Sequence, residues 1–285
     1  LNKPTLIFII NPSAGKGKSL SKDLILSHWP NHQVLFEETY EGRAERILSY
    51  LEQGITEFVV AGGDGTVNDI AKLLVHKNAS MGIIPLGSGN GLARDLGLPT
   101  DPLEALSVVS RGKVRAIDVG YLNGKPFFCT AGVGFDALCA HDFARKKHSR
   151  GLWNYVKIIF ERYFTYAGIE ARYQNEVKRY FSITFANAGQ FGNNAYIAPH
   201  ARVDDGFLDC AMILPHPKWC FADLGIRLIS KRLNSFPYFE HLNFKELKLE
   251  ELSDLHAHID GEAVDLEGPT VHVKIEEKAL KVIVS

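Results

Sequence analysis

The sequence predicts a two-part chain: an α/β domain built on a parallel sheet, then an antiparallel sandwich or barrel-like domain. Three observations carry this. Continuous apolar runs alternate with helix-period segments over the first ~115 residues, the later strands alternate apolar with polar residues, and glycine-rich turns follow three early strands.

Leu6-Ile7-Phe8-Ile9-Ile10 is the first run, with the composition of a strand buried on both faces, and residues 55–61 and 81–86 read the same way. Between them, Ala44, Ile47, Leu48 and Leu51 recur at i, i+3, i+4 and i+7. Val67, Ile70, Ala71, Leu74 and Val75 carry the same spacing to i+8. Strands and helices alternating in this way form a parallel sheet covered by helices. From about Asp118 the pattern changes: segments 127–131, 180–188, 207–214, 244–249, 271–275 and 280–284 look like strands. Helical stretches interrupt them at 152–166 and 218–232. The domains are therefore drawn as 1–117 and 118–285, with the last strand free to return to the first domain.

A formal net charge of −1, with 46% hydrophobic and 23% charged residues, fits a globular protein. It excludes a global field that draws the chain to nucleic acid or to an anionic membrane, so any such partner needs a local patch. Four cysteines without CxxC spacing point to reduced thiols of the cytoplasm rather than a zinc cluster. No apolar run reaches the roughly 18 residues of a spanning helix, and no signal peptide is visible, so a cytoplasmic protein is expected.

The glycines fall where chemistry is expected. Asn11-Pro12-Ser13-Ala14-Gly15-Lys16-Gly17-Lys18-Ser19 follows the first strand, Gly62-Gly63-Asp64-Gly65-Thr66 another, and Gly87-Ser88-Gly89-Asn90-Gly91 the next. Parallel strands end on one edge, where open α/β sheets bind ligands. Glycine lets backbone N–H groups approach an anion, and a helix that starts there adds its dipole. The first loop is not a strict P-loop, because Pro12 stands where that pattern needs glycine. Each loop alone can also be an ordinary β–α turn; three together favour a nucleotide's phosphates.

These residues resemble the diacylglycerol kinase catalytic-domain family, which also includes sphingosine, ceramide and bacterial lipid kinases. The resemblance rests on Gly62–Thr66, preceded by Asn11-Pro12 and followed by Gly87-Ser88-Gly89-Asn90. It continues through Asp118-Val119-Gly120, the run 131–137 (AGVGFDA), the run 204–209 (DDGFLD) and Asp260-Gly261-Glu262. It implies an N-terminal α/β domain joined to a C-terminal β-sandwich, and an ATP-dependent kinase acting on a lipid hydroxyl. Asn11, Gly62, Gly63, Gly65, Thr66, Gly87, Ser88, Gly89 and Asn90 would then face the nucleotide, and Asp64 its phosphates and Mg²⁺. Asp260 would be the general base, with Glu262 near the magnesium, so that the two domains each supply one side of the site.

Asp205, with the carbonyls of Arg202 and Phe207 and with Asp118 in the same network, resembles the site of a second, structural Mg²⁺. Asp204-Asp205-Gly206 reads equally as a turn between strands. Two departures bear on the metal shell: Gly91 replaces an acidic residue, and Asn68-Asp69 replaces an Asn-Glu pair.

The basic run 145–150 (RKKHSR) precedes an aromatic helix at 152–160, a combination that suits a transient contact with a membrane surface and equally a solvated turn before a core helix. His256-Ala257-His258 puts two of the eleven histidines on one strand face; a metal pair is geometrically possible there, and polar strand residues are the ordinary reading. The partners expected are a lipid substrate at a membrane surface and, as an option, a second copy in a homodimer; nucleic acid is not among them. Rival readings are a kinase of NAD or a sugar, which share the glycine-aspartate loop, and a nucleotide-binding regulatory module without turnover.

Overall fold

The computed structural model describes residues 4–12, 14, 20–145, 152–192 and 194–285. The chain divides into two compact units, Leu1–Ile117 with Lys278–Ser285, and Asp118–Glu277.

In the first unit β1 (Thr5–Ile10), α1 (Lys22–His28), β2 (Gln33–Glu37), α2 (Arg43–Glu52), β3 (Glu57–Gly62), α3 (Asp64–Leu74), β4 (Ser80–Pro85), α4 (Gly91–Asp95) and α5 (Pro102–Arg111) follow one another. The sheet runs β2-β1-β3-β4, all parallel, and the chain's C-terminal residues add a further parallel strand on β4 through Lys281↔Ser80 and Val282↔Met81. Leu6, Phe8, Val59, Ala61 and Ile84 pack on one face against Ile25 of α1, Trp29 at its C-cap, and Ala105, Leu106 and Val109 of α5. The alternate residues Ile7, Ile9, Phe58 and Val60 are also buried, and α3 packs against β3 and β4. Burial on both faces is why these strands read as unbroken apolar runs. Asp101 caps α5 by accepting the N–H groups of Leu103 and Glu104, with Pro102 at the first helical position.

β5 (Lys113–Leu122) leads into the second unit. There follow β6 (Lys125–Phe127), β7 (Thr130–Gly134), α6 (Phe135–Arg145), α7 (Leu152–Tyr163), β8 (Ile169–Tyr173), β9 (Glu176–Tyr180), β10 (Ser182–Ala186), β11 (Gln190–Gly192), β12 (Ala195–Tyr196) and β13 (Leu208–Ile213). Then come α8 (Phe221–Ile229), β14 (Phe239–Phe244), β15 (Glu246–Leu249), β16 (His256–Ile259), β17 (Glu262–Asp265) and β18 (Val271–Val284). A six-stranded antiparallel sheet runs β14-β13-β10-β7-β16-β17. Its inner side chains, among them Val133, Ile183, Phe185, Cys210 and Ile259, meet Leu122, Phe127, Leu247, Leu249, Val271 and Val273 from β5, β6, β15 and β18. Two sheets closing on one apolar layer make this a β-sandwich. On the outer face Ala186, Ala211 and Ile213 pack against Tyr163 of α7 and Leu224 of α8, while α6 lies on β16 and β17.

Among the hairpins whose turns are fully described, three close on two residues with paired strands on either side: Asn123-Gly124 between β5 and β6, Gln174-Asn175 between β8 and β9, and Asp260-Gly261 between β16 and β17. All six residues have positive φ, as type I′ turns require. The structure differs from the sequence reading in places. Segments 271–275 and 280–284 are one strand of 14 residues, β18; Lys278, at φ 53°, sits in the polar stretch that splits the pattern. Segment 244–249 is divided at Lys245 between β14 and β15, and the helix expected over 152–166 ends at Tyr163.

Gly82 lies where β4 meets α5: a Cβ there would sit 2.3 Å from Val109 Cγ1. Gly82→Ala is expected to destabilise the protein by about 1–3 kcal/mol through overpacking, measured by urea unfolding against Gly268→Ala, where a Cβ meets nothing within 4 Å and φ is not positive, as the unpacked control.

Candidate active site

In the first unit β1, β3 and β4 end at one level, with Ile10 beside Ala61 and Gly62 beside Pro85. Their loops therefore start side by side, at the carboxyl edge of the sheet. The Asn11 N–H donates to the Ala61 carbonyl at 3.0 Å, and its Nδ2 donates to Thr66 Oγ1 at 2.8 Å. Close approach, more than φ, dictates the glycines. A Cβ on Gly87 would lie 2.8 Å from Gly63 Cα and from Asn90 Oδ1, and one on Gly62 would lie 2.8 Å from Thr66 Cβ.

Asp64 ties two of these loops together. Its Oδ2 accepts the N–H of Asn90 at 2.8 Å and its Oδ1 the N–H of Gly91 at 2.7 Å. A Cβ on Gly89 would fall 2.7 Å from that carboxylate. Asn90, in the left-handed region at φ 52°, returns its Nδ2 to the Gly87 carbonyl at 2.8 Å. Ser88 is exposed at the apex of this loop, and Gly65 is exposed in the first turn of α3. The first N–H groups of that 11-residue helix have no partner within the helix, and the positive end of its dipole lies with them at this edge. Ser13 and residues 15–19 of the first loop lie outside the described residues.

In the second unit Asp260 is the first residue of the β16–β17 turn. Its Oδ1 accepts the N–H groups of Cys129 and Thr130 at 2.8 and 3.0 Å, and its Oδ2 that of Phe128 at 3.0 Å. The Asp260 N–H donates to the Thr130 carbonyl at 2.7 Å. Burial pushes the carboxyl up to about 6, against the opposing pull of the three N–H groups and of His258. Glu262 follows as the exposed first residue of β17.

The second expected metal position falls on one turn. Asp118, 1% exposed, accepts the Gly206 N–H on Oδ2 at 2.8 Å, and its own N–H donates to the Val203 carbonyl at 2.6 Å. Asp205 accepts the Phe207 N–H at 3.0 Å, and Arg202 pairs with Asp204 at 3.4 Å. Asn187 joins this turn to the Asp260 segment, for its Nδ2 donates to the carbonyls of Asp118 and Phe128, both at 3.0 Å. Sequence reasoning missed Asn187; the signal was a lone amide closing the apolar run of β10. It included Asp136 within the run 131–137 without giving it a role; here its Oδ2 accepts from Thr184 Oγ1 at 2.7 Å and meets His258 Nε2 at 3.0 Å. Gly132 leaves room for this cluster, since a Cβ there would lie 2.8 Å from Asp136 Oδ2. His256 and His258 share a strand face but part company: His258 meets Asp136, whereas the ring of His256 meets His141 at 4.3 Å.

Glycine turns after β3 and β4 at the carboxyl edge of the parallel sheet in the α/β unit, and a half-buried aspartate at a hairpin tip in the β-sandwich unit, are features of a two-domain kinase class. The chain belongs to the diacylglycerol kinase catalytic-domain family: the family model "Diacylglycerol kinase catalytic domain" matches residues 5–122, and "YegS C-terminal NAD kinase beta sandwich-like domain" matches 130–284. It is 28% identical over 291 residues to a Pseudomonas aeruginosa protein named "Probable lipid kinase YegS-like", covering 99% of this chain and 95% of that one. A protein of the same name from Chromohalobacter salexigens is 30% identical over 81% of this chain and 78% of its own. A "Diacylglycerol kinase" of Staphylococcus saprophyticus is 28% identical over 89% of this chain and 87% of its own. The crystal structure of a diacylglycerol kinase from Bacillus anthracis shares the fold, with TM-score 0.71 at 19% identity over 99% of this chain and 97% of that one.

Asp64→Asn exchanges one acceptor oxygen for an NH₂ that faces a backbone donor. It is expected to cost about 1–3 kcal/mol in unfolding free energy, read by urea denaturation.

Proposed function

We propose that this chain transfers the γ-phosphate of ATP to a hydroxyl of a lipid, either a diacylglycerol, a sphingoid base or a related molecule, with Asp260 as general base. The observation that carries this reading is the state of Asp260: a carboxyl held by three backbone N–H groups and pushed by burial to about 6. Such a group is ionised at neutral pH yet basic enough to take a hydroxyl proton as the oxygen attacks phosphorus.

The glycine loops and the start of α3 support the binding of ATP phosphates by Asn11, Gly62, Gly63, Gly65, Thr66, Gly87, Ser88, Gly89 and Asn90. A bound Mg²⁺ would neutralise charge on the transferring phosphoryl oxygens. Asp64 suits that ion as a hard oxygen donor, because each oxygen keeps a lone pair beyond the one used for Asn90 or Gly91. Asp205, with the carbonyls of Arg202 and Phe207 and with Asp118 across the turn, is assigned a second, structural Mg²⁺, and Glu262 a place near the magnesium of the reaction.

The lipid acceptor is supported by the relatives' names and by a surface of the second unit. Trp153 on α7 is 84% exposed, and Trp219, Ile226 and Ile229 at α8 are 80%, 65% and 68% exposed. The Phe221 ring, 5.6 Å from Phe160, makes the two helices neighbours. Exposed tryptophans beside aliphatic residues suit the boundary of a lipid bilayer. Lys146, Lys147 and Arg150 of the basic run lie outside the described residues. Among the described residues no helix is long and apolar enough to cross a membrane, so the proposed contact is peripheral.

Asp260→Asn is expected to lower kcat at least about a hundredfold while ATP binding persists; retained turnover would overturn the base assignment. The base works ionised, so kcat/KM should rise with pH through about 6 and level off above it. A radiolabelled-ATP assay against a lipid panel, with NAD and sugars as controls, tests the acceptor; label found only in a soluble acceptor would sink the lipid reading. Trp219→Ser combined with Ile226→Ser should reduce flotation with anionic liposomes severalfold, and unchanged flotation would remove this surface from the account.

A further inference from the structure

We infer a divalent-metal site of the Zn²⁺-binding kind, formed by His141, His256 and Asp265 at the open end of the β16–β17 hairpin. It uses none of the residues assigned to phosphoryl transfer. His256 and Asp265 are opposed across the two strands, and His141 comes from α6, which lies on them. The spacing on the helix matches that on the strand. Asp136 and His141 are five residues apart, about 7.5 Å along a helix, and meet His258 and His256, two residues apart, about 7 Å along a strand.

The hydrogen bonds fix which nitrogens are bare. His141 Nε2 lies 3.2 Å from the carbonyls of both Ala257 and Val264, which can only accept, so Nε2 carries the proton and the neutral ring leaves its lone pair on Nδ1. His256 Nδ1 lies 2.6 Å from the Asp254 carboxylate, which likewise holds a proton there and leaves Nε2 bare. A ligand histidine backed by a carboxylate or a carbonyl is the arrangement that orients imidazoles on zinc. One donor atom from each of the three residues lies within 4.8 Å of the other two, and His141 Nδ1 is 3.9 Å from Asp265 Oδ1. Tetrahedral Zn²⁺ with bonds of about 2.1 Å needs donors about 3.4 Å apart, and Asp265, 82% exposed, can close that gap by a change of rotamer. Two imidazole nitrogens and one carboxylate favour Zn²⁺ over Mg²⁺, which prefers all-oxygen shells, and leave a fourth position for water.

The test uses the full chain freed of metal by chelation. Titration with ZnCl₂ is followed by calorimetry and by thermal unfolding, and titration with CoCl₂ by visible absorption. His256 and Asp265 are substituted because His141 is buried and its loss endangers folding. Wild type is expected to bind Zn²⁺ with a rise in Tm and to give tetrahedral Co²⁺ bands. His256→Gln should weaken binding about a hundredfold and Asp265→Ala about tenfold. Wild type that takes up no Zn²⁺, or an affinity unchanged in either variant, overturns the site.

Discussion

A carboxylate that accepts backbone N–H groups from a distant segment fixes both segments at once, and each of the two units is built around one such interaction. Residues 89–91 lead from a loop into α4 and residues 128–130 from a bend into β7, where neither a helix nor a sheet ladder satisfies every N–H. Asp64 serves the first, with Asn90 and Gly91, and Asp260 the second, with Phe128, Cys129 and Thr130. Hydrogen bonds to a charged acceptor contribute about 1.5–3 kcal/mol each, enough to offset the entropy of ordering one or two loop residues apiece. Asp118 does the same for the 203–206 turn, and Asn187 links that turn to the Asp260 segment. Within each unit the loop geometry is thus set by side-chain acceptors tied into the backbone network.

Strand periodicity explains why polar chemistry collects on one face of the sandwich. Along β7, β10 and β16 the residues Val133, Phe185 and Ile259 enter the apolar layer, so Gly132, Thr184 and His258 must face the other way. α6 covers that face and brings Asp136 to Thr184 and His258. His258 is 2% exposed, and its Nδ1 has no hydrogen-bond partner among the described residues. An incompletely satisfied buried ring costs stability, and it lies two residues from the carboxylate whose ionisation it favours.

The α/β architecture was legible because parallel strands buried on both faces leave unbroken apolar runs, as at 6–10 and 57–61. The sandwich was legible only in part. β18 carries Glu276, Glu277 and Lys278 at its centre, so one strand read as two. β16 is four residues long with two histidines, too short and too polar for a pattern. Asn123-Gly124 and Asp260-Gly261 carried a hairpin signal that composition makes plain, yet Gln174-Asn175 makes the same turn with little such signal. At the site, resemblance drew attention to Asp64 and Asp260, whereas their partners are backbone groups, which no side-chain pattern can announce. The pairing of His141 with His256 was illegible for a related reason: it joins residues 115 positions apart through the way a helix lies on a hairpin.

The identity of the turn residue follows from these forces. Asp260 adopts φ 48°, which costs an L-residue roughly 1–2 kcal/mol. Glycine would avoid that cost, and asparagine would tolerate the φ, but neither offers a charged acceptor to three converging N–H groups. Three such bonds outweigh the backbone cost severalfold. The same balance leaves the carboxyl held in one orientation, and burial keeps it more basic than a surface aspartate. A turn that only reversed the chain could use Asn-Gly, as the β5–β6 hairpin does; aspartate at 260 answers the additional demand of three backbone N–H groups for a charged acceptor.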